Sequence, residues 1–272
     1  MLVVCPTPIG NLEDVTLRVL RELGEAEIVL CEDTRRTRVL LERHGVRAGR
    51  LVSFHRHNEA SRTAELLPRL AEGARIALAS DAGLPGVNDP GARLVAAALE
   101  HGLPVTVLPG ASAVETALVA SGLLGERYSF VGYLPRGRDG LAALWEELRA
   151  WTWPVVAFES PRRLPLSLAS LADSEPERPV AVCRELTKRF EEVVRGPAGE
   201  VAARFQEPPK GEVTVVIGAG ERPAGLPGGA REDEAVAAVA ELVEAGLPRR
   251  QAVDVAARLT GLPRNTLYQR SL

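Results

Sequence analysis

The sequence predicts an α/β protein built as two α/β domains followed by a small helical module. Through residues 1–124, short apolar runs alternate with stretches of helical spacing, the pattern of a mainly parallel sheet with helices on its faces. From 125 to 220 strand-like runs are more frequent and the alternation is less strict, which points to a mixed sheet. The run Glu221-Arg222-Pro223-Ala224-Gly225-Leu226-Pro227-Gly228-Gly229 has the composition of a linker, and three short helical patterns follow it over 228–272.

Taken in order, Leu2-Val3-Val4-Cys5 reads as a buried strand ended by Pro6-Thr7-Pro8-Ile9-Gly10-Asn11. A helix follows, with Asp14 or Thr16 near its start and Val15, Val19, Leu20 and Leu23 on one face. Glu27 to Cys31 is a strand, and Thr34 is suited to cap a helix that runs to His44 and is stopped by Gly45. Arg50 to Phe54 is a strand and Glu59 to Glu72 a helix. Arg75 to Ala79 is a strand whose loop, Ser80 to Gly91, leads into an apolar helix that begins near Pro90 and ends at His101. Pro104 to Leu108 and Ser112 to Ser121 complete the first domain. The second domain reads as strands at 128–133, 154–158, 179–184, 191–195 and 212–218, with helices at 141–151, 162–171 and near Val201. Helices at 232–245, 249–259 and 264–270 form the terminal module.

The 272 residues are 46% hydrophobic and 25% charged, as in a soluble globular protein, with a net charge of only −3. That balance argues against indiscriminate nucleic-acid binding while leaving room for local patches. No apolar run is long enough to span a bilayer, and the first residues lack a basic region before an apolar one, so a cytoplasmic location is expected. Cys5, Cys31 and Cys183 are scattered and form no CxxC pair; buried thiols are expected, with neither a disulfide framework nor a metal site.

There is no G-x-G-x-x-G after the first strand, no P-loop and no G-x-S-x-G elbow. His55 and His57 form the one close histidine pair. On a strand their rings would share a face, with a structural or hydrogen-bonding role. Three Gly/Pro-rich loops carry more weight: Pro6–Asn11, Asp81–Gly91 and Pro109–Ala113, each following a first-domain strand. If those strands are parallel, all three loops leave one sheet edge. A small ligand with polar and adenine-like parts could bond to their backbone there, beside the N-terminus of the Ser112 helix.

These blocks resemble the tetrapyrrole-methylase superfamily of S-adenosylmethionine (SAM) enzymes over roughly the first 220 residues. Within it they look like the small-subunit rRNA cytidine 2′-O-methyltransferases. The resemblance rests on Thr7-Pro8-Ile9-Gly10-Asn11-Leu12, Glu32-Asp33-Thr34-Arg35, His55 to Glu59, Ser80 to Gly91 and Pro109 to Ala113. It extends to Gly132-Tyr133-Leu134-Pro135-Arg136, Glu159-Ser160-Pro161-Arg162-Arg163, Arg184-Glu185-Leu186-Thr187-Lys188 and Pro208 to Glu212. The chain departs from the family pattern at Leu84 and Asn88, where hydroxyl side chains are usual. The resemblance implies a homodimer with SAM in a cleft between the domains. Its lining would be Pro8, Gly10, Asp81, Gly83, Pro85, Gly86, Val87, Asp89, Ser112 and Ala113, with Leu134, Arg184 to Leu186 and Gly211 from the second domain. A carboxylate such as Asp81 or Asp89 suits the cationic sulfonium.

The activity so implied is 2′-O-methylation of a cytidine in the decoding region of 16S rRNA, within the small ribosomal subunit and without a metal. The protein must then align the hydroxyl and help remove its proton. Glu185 and Glu159 are the leading candidates because each ends a strand beside basic residues, and Lys188 and Asp33 follow. Arginines at 34–50, including Arg35 and Arg36, with Arg136 and Arg162, are suited to phosphate contacts. Arg249, Arg250 and Arg264 lie in a terminal segment similar to a helix-turn-helix, which is expected to touch rRNA. The alternatives are a tetrapyrrole-precursor C-methyltransferase and a non-catalytic nucleic-acid-binding regulator.

Overall fold

The computed structural model describes residues 1–220, 228–260 and 262–272, in two compact units, Met1–Gly220 and Glu221–Leu272. The linker expected over 221–229 lies for the most part outside the described residues.

The first unit opens with five strands, β1 (Leu2–Cys5), β2 (Ile28–Cys31), β3 (Arg50–Ser53), β4 (Ile76–Ala79) and β5 (Val105–Val107). They form one parallel sheet in the order β3-β2-β4-β1-β5. Helices α1 (Leu17–Glu25), α2 (Thr34–Arg43), α3 (Glu59–Ala71) and α4 (Ala92–Glu100) connect them. The strands are apolar at successive positions because both sheet faces are covered. Leu2, Val4, Leu30 and Leu78 pack with α3 and α4, while Val3, Cys5, Val29 and Ala79 pack with α1 and α2. Local chemistry sets the helix starts. The Thr16 side chain accepts from the Val19 amide, and Asp33, not Thr34, caps α2 by accepting from the Arg35 amide at 2.9 Å. The cap falls one residue earlier than expected because the Asp33 carboxylate reaches the free amides of the first turn.

The second sheet has the order β6-β7-β10-β8-β9. Its strands are β6 (Ser129–Tyr133), β7 (Val155–Glu159), β8 (Pro179–Arg184), β9 (Glu192–Pro197) and β10 (Val213–Ile217). Only β6 and β7 run parallel, so the sheet is mixed. Helices α6 (Arg138–Arg149), α7 (Leu164–Ser174) and α8 (Ala198–Arg204) cover one face around Trp145, Leu141 and Leu168. The other face is covered by α5 (Ala113–Ser121), whose Val114, Ala117 and Leu118 pack against Val156, Ala181 and Val216. The last helix before residue 124 thus lies on the sheet of the second half, and residues 1–220 form one compact unit.

The three cysteines are buried, and burial pushes the Cys5 thiol up to about 12 and that of Cys183 to about 11. The histidine pair lies in the turn after β3. There the Asn58 side chain accepts from the His55 amide at 2.8 Å, and the two rings meet edge to face at 5.8 Å. The strand ends at Ser53, so the expected shared strand face does not arise.

The second unit holds α9 (Gly228–Glu244), α10 (Arg249–Thr260) and α11 (Arg264–Arg270) around Ala235, Val239, Ala252, Val253, Ala256 and Leu267. Ion pairs link Arg264 to Asp254 and Arg270 to Asp233. Among the described residues no helix is long and apolar enough to cross a membrane.

Candidate functional site

The parallel register carries the loops after β1, β4 and β5 to one edge of the first sheet, and there they interlock. Thr7 and Gly83 exchange backbone hydrogen bonds of 2.9 Å in both directions, and the Thr7 hydroxyl donates to the Ser80 carbonyl at 2.9 Å. The Ser80 hydroxyl donates to Gly83 O at 2.6 Å, closing the turn that opens the long loop. Facing this edge across a cleft of about 890 Å³ are Phe130 and Tyr133 of β6, Phe158 and Glu159 of β7, and Gly211 to Thr214 around the start of β10. A side cavity of about 300 Å³, lined by Pro8, Gly10, Thr37, Leu40, Lys188 and others, shares Ile9, Arg36, Asp81, Ala82 and Glu212 with the cleft.

Three carboxylates gather at the floor. Because β2 is the neighbour of β4, the loops after these strands are adjacent, and Asp81 accepts from the Asp33 amide at 2.9 Å. Burial, then the charges of Glu32 and Asp81, push Asp89 up to about 7, and burial with Asp81 also raises Glu32. Arg56 moderates both, and the Arg36 guanidinium lies 3.7 Å from Asp81. The amide nitrogen of Asn88, another lining residue, is buried without a hydrogen-bond partner. A cation with hydrogen-bonding groups is the ligand that would satisfy both features.

The strand-end acids of the second sheet have different surroundings. The Glu159 side chain is 0% exposed, and its carboxylate accepts from the Ser160 amide at 2.6 Å, the Ser167 hydroxyl at 2.5 Å and Arg163 at 2.5 Å. With every oxygen engaged and water excluded, it is built to hold Arg163, whose guanidinium donates to the Leu134 and Pro135 carbonyls. The sequence places Glu159 among the candidate proton acceptors; in the structure its carboxylate is bound to these three donors. Glu185 accepts from Lys188 Nζ at 2.8 Å and from the Glu212 amide at 2.9 Å, and these bonds hold its carboxyl below the ordinary range. Although burial opposes its charge, the Lys188 ammonium is raised by Glu185 and by Glu212 Oε2 at 3.0 Å. Asp33, occupied by Arg35, is lowered to about 2 and is a poor base.

A model of the tetrapyrrole (corrin/porphyrin) methylases matches residues 1–202, and one of the RsmI C-terminal HTH domain matches residues 229–272. The chain belongs to the tetrapyrrole methylase family. The ribosomal RNA small subunit methyltransferase I of Micromonospora olivasterospora is 44% identical over 98% of this chain and 85% of its own length. The protein of that name from Mesorhizobium japonicum is 42% identical, over 100% of this chain and 91% of its own. Uroporphyrin-III C-methyl transferase from Thermus thermophilus, solved with S-adenyl homocysteine, superposes with a TM-score of 0.55 at 22% identity. That match covers 80% of this chain and 96% of the other, and it shows the fold.

Of the positions that the family resemblance implies for the cofactor, Asp81, Gly83, Val87, Asp89, Ser112, Ala113 and Gly211 line the cleft. Pro8 and Gly10 line the side cavity with Lys188. Pro85 and Gly86 lie inside the loop, off the cavity walls. Leu134 is buried in the core beneath α6 and α7, and Leu186 in the core beneath α5. Arg184 is occupied by Glu192, at 3.0 and 3.1 Å, and by the Lys210 carbonyl. Arg36 lines both cavities; Arg35, Arg136 and Arg162 are exposed. Arg249, Arg250 and Arg264 lie in the second unit.

Sequence reasoning missed Glu32, Asn88, Glu212 and the aromatic wall. Of the five phenylalanines and three tyrosines in the chain, Phe130, Phe158, Tyr128 and Tyr133 line this one cleft. That scarcity was a usable signal, because so few rings concentrated in two neighbouring strands are available to a ligand.

Proposed function

We propose that this protein uses SAM to methylate the ribose 2′-hydroxyl of a cytidine in the decoding region of small-subunit rRNA. The observation that carries the reading is the cleft itself, with interlocked backbone loops and an electron-rich carboxylate floor opposite an aromatic wall. Relatives named ribosomal RNA small subunit methyltransferase I, 44% and 42% identical to this chain, support the substrate class. Residues fit for the cofactor are Asp81, Gly83, Val87, Asp89, Ser112, Ala113 and Gly211, with Pro8 and Gly10 shaping the adjoining wall. Bound there, SAM supplies an electrophilic methyl group on a cationic sulfur. Glu32, Asp81 and Asp89 offset that positive charge, and the unpartnered Asn88 amide has a donor to give. Glu212 lines both cavities and is 66% exposed at its side chain, so its carboxylate is placed to take the hydroxyl proton. Glu185 and Lys188 position it, and Glu159 acts through Arg163. Arg35, Arg36, Arg136 and Arg162, with Arg249, Arg250 and Arg264 of the C-terminal module, meet RNA phosphates. The working form in this reading is a cytoplasmic homodimer acting on the assembled subunit.

The test supplies methyl-labelled SAM and small subunits from cells lacking the gene, then maps ribose methylation. Transfer to one cytidine 2′-oxygen is expected, and removing residues 228–272 should weaken subunit binding at least tenfold while leaving SAM affinity within twofold. Label on a base, or none on the RNA, would sink the reading; unchanged subunit affinity would sink the role of the module.

SAM affinity should also depend on pH. Asp89 holds its proton up to about 7, whereas a cationic ligand prefers the ionised carboxylate. Affinity is therefore full above that pH and falls as pH drops below it. Calorimetric titration at pH 6 and pH 8 should show the difference, and Asp89→Asn should flatten it. An identical pH dependence in the variant would remove Asp89 as its source.

A further inference from the structure

The aromatic wall is shaped by an irregularity in β6. Ser129 pairs with Val155 and Phe130 with Val156, but the next pair is Tyr133 with Phe158, so three steps on β6 match two on β7. In a regular strand, residues three apart point to opposite faces. The extra residue in this bulge turns Tyr133 onto the face that Phe130 already occupies. Both line the cleft, and both meet the Phe158 ring edge to face, with centroids 4.9 Å away for Phe130 and 5.6 Å for Tyr133. Gly132 makes the bulge possible. Its φ of +72° lies in the left-handed region that favours glycine.

The three rings are not equivalent. Phe130 and Phe158 are half-buried, whereas Tyr133 is 58% exposed although it lines the cleft. Its backbone is held on both sides. The Leu134 amide donates to the Phe158 carbonyl at 3.0 Å, and Arg163, fastened to buried Glu159, binds the carbonyls of Leu134 and Pro135. Exposed Arg136 and Arg162 lie on the two turns that Arg163 ties together. A fixed ring with an open flank, on a strand that leads into one of two turns whose exposed arginines make no ion pair among the described residues, matches the way proteins take up unpaired RNA bases, by stacking on an aromatic and pairing the phosphates with arginine.

We propose that Tyr133 is the stacking platform for the base of the nucleotide whose ribose is methylated. This rests on the rRNA reading above and adds to it how the target nucleotide is gripped. Phe158 orients the ring, and Arg136 and Arg162 take the flanking phosphates. Stacking needs the ring and not the phenol, so Tyr133→Phe should behave as wild type and Tyr133→Ala should not.

The experiment measures SAM affinity by calorimetry, and kcat/KM on small subunits from cells lacking the gene, for wild type, Tyr133→Phe and Tyr133→Ala. It then measures binding of a synthetic decoding-region RNA with either the natural target nucleotide or an abasic ribose at that position. Tyr133→Ala is expected to lose on the order of 10- to 100-fold in kcat/KM with SAM affinity within twofold. Removing the base should weaken binding to wild type and to Tyr133→Phe by a similar factor, and should cost Tyr133→Ala nothing further. The proposal fails if Tyr133→Ala turns over as wild type, or if the abasic penalty persists in it. It fails equally if SAM affinity falls in step with turnover, which would place the ring against the cofactor. Absence of methyl transfer by the wild-type protein would instead remove the rRNA reading, and this proposal with it.

Discussion

Arg163→Met is expected to destabilise the protein by roughly 3–5 kcal/mol, near the lower end because the guanidinium is 26% exposed. The substitution leaves the fully buried Glu159 carboxylate with only the Ser160 amide and the Ser167 hydroxyl as donors. It also frees the Leu134 and Pro135 carbonyls, so the turn after β6 loses its tie to β7. Removing both charges is less damaging, because the dominant cost is an unpaired buried ion. Urea unfolding of Arg163→Met and of the Glu159→Gln, Arg163→Met double variant should therefore show partial recovery in the double. A double variant as unstable as the sum of its single changes would contradict the pairing.

Gly10→Val should lower kcat/KM for methyl transfer by about 100-fold, with a loss of roughly 1–3 kcal/mol in stability. A Cβ at Gly10 would lie 2.5 Å from Lys188 Cγ, 2.7 Å from the Thr187 hydroxyl and 2.9 Å from the Leu186 carbonyl. The opposing segment has little freedom to retreat. Glu185 and Thr187 sit at φ of +52° and +65°, conformations that non-glycine residues rarely adopt. They are held there by the Glu185 amide on Glu212 O at 3.0 Å, the Thr187 amide on Glu191 at 2.6 Å, and the Asn11 amide on the Thr187 hydroxyl at 2.9 Å. Widening this contact separates Lys188 and Glu212 from the Pro8–Asn11 loop. Thermal melting and transfer kinetics of the variant check both parts. Near-wild-type turnover would show that this close approach does not set the geometry of the site.

Much of the molecule was legible from local chemistry. The strands of the first sheet are continuous apolar runs, and Thr16 and Gly45 bracket helices by their own backbone preferences. Loops after parallel strands must leave the same edge, so the meeting of Pro6–Asn11, Asp81–Gly91 and Pro109–Ala113 followed from the pattern alone. Glu159 and Glu185 read alike, as acids at strand ends beside arginine or lysine. One is sealed by Ser167 and Arg163, and the other is joined to Lys188 and Glu212 at the edge of a cavity. Ser167 and Glu212 are remote from those acids in sequence, and no local rule connects them.

Residue order alone determined the α/β class, the three loops and the family blocks, because helix caps, turn glycines and apolar periodicity act over a few neighbours. Only the tertiary structure decided which groups those loops present to a ligand. The order β3-β2-β4 brings Glu32 beside Asp81 and Asp89 and raises the proton affinity of Glu32 and Asp89. One extra residue in β6 turns Tyr133 toward the cleft. Strand order and register are settled by contacts between distant segments, and burial and charge, which set the chemistry of each carboxylate, follow from them.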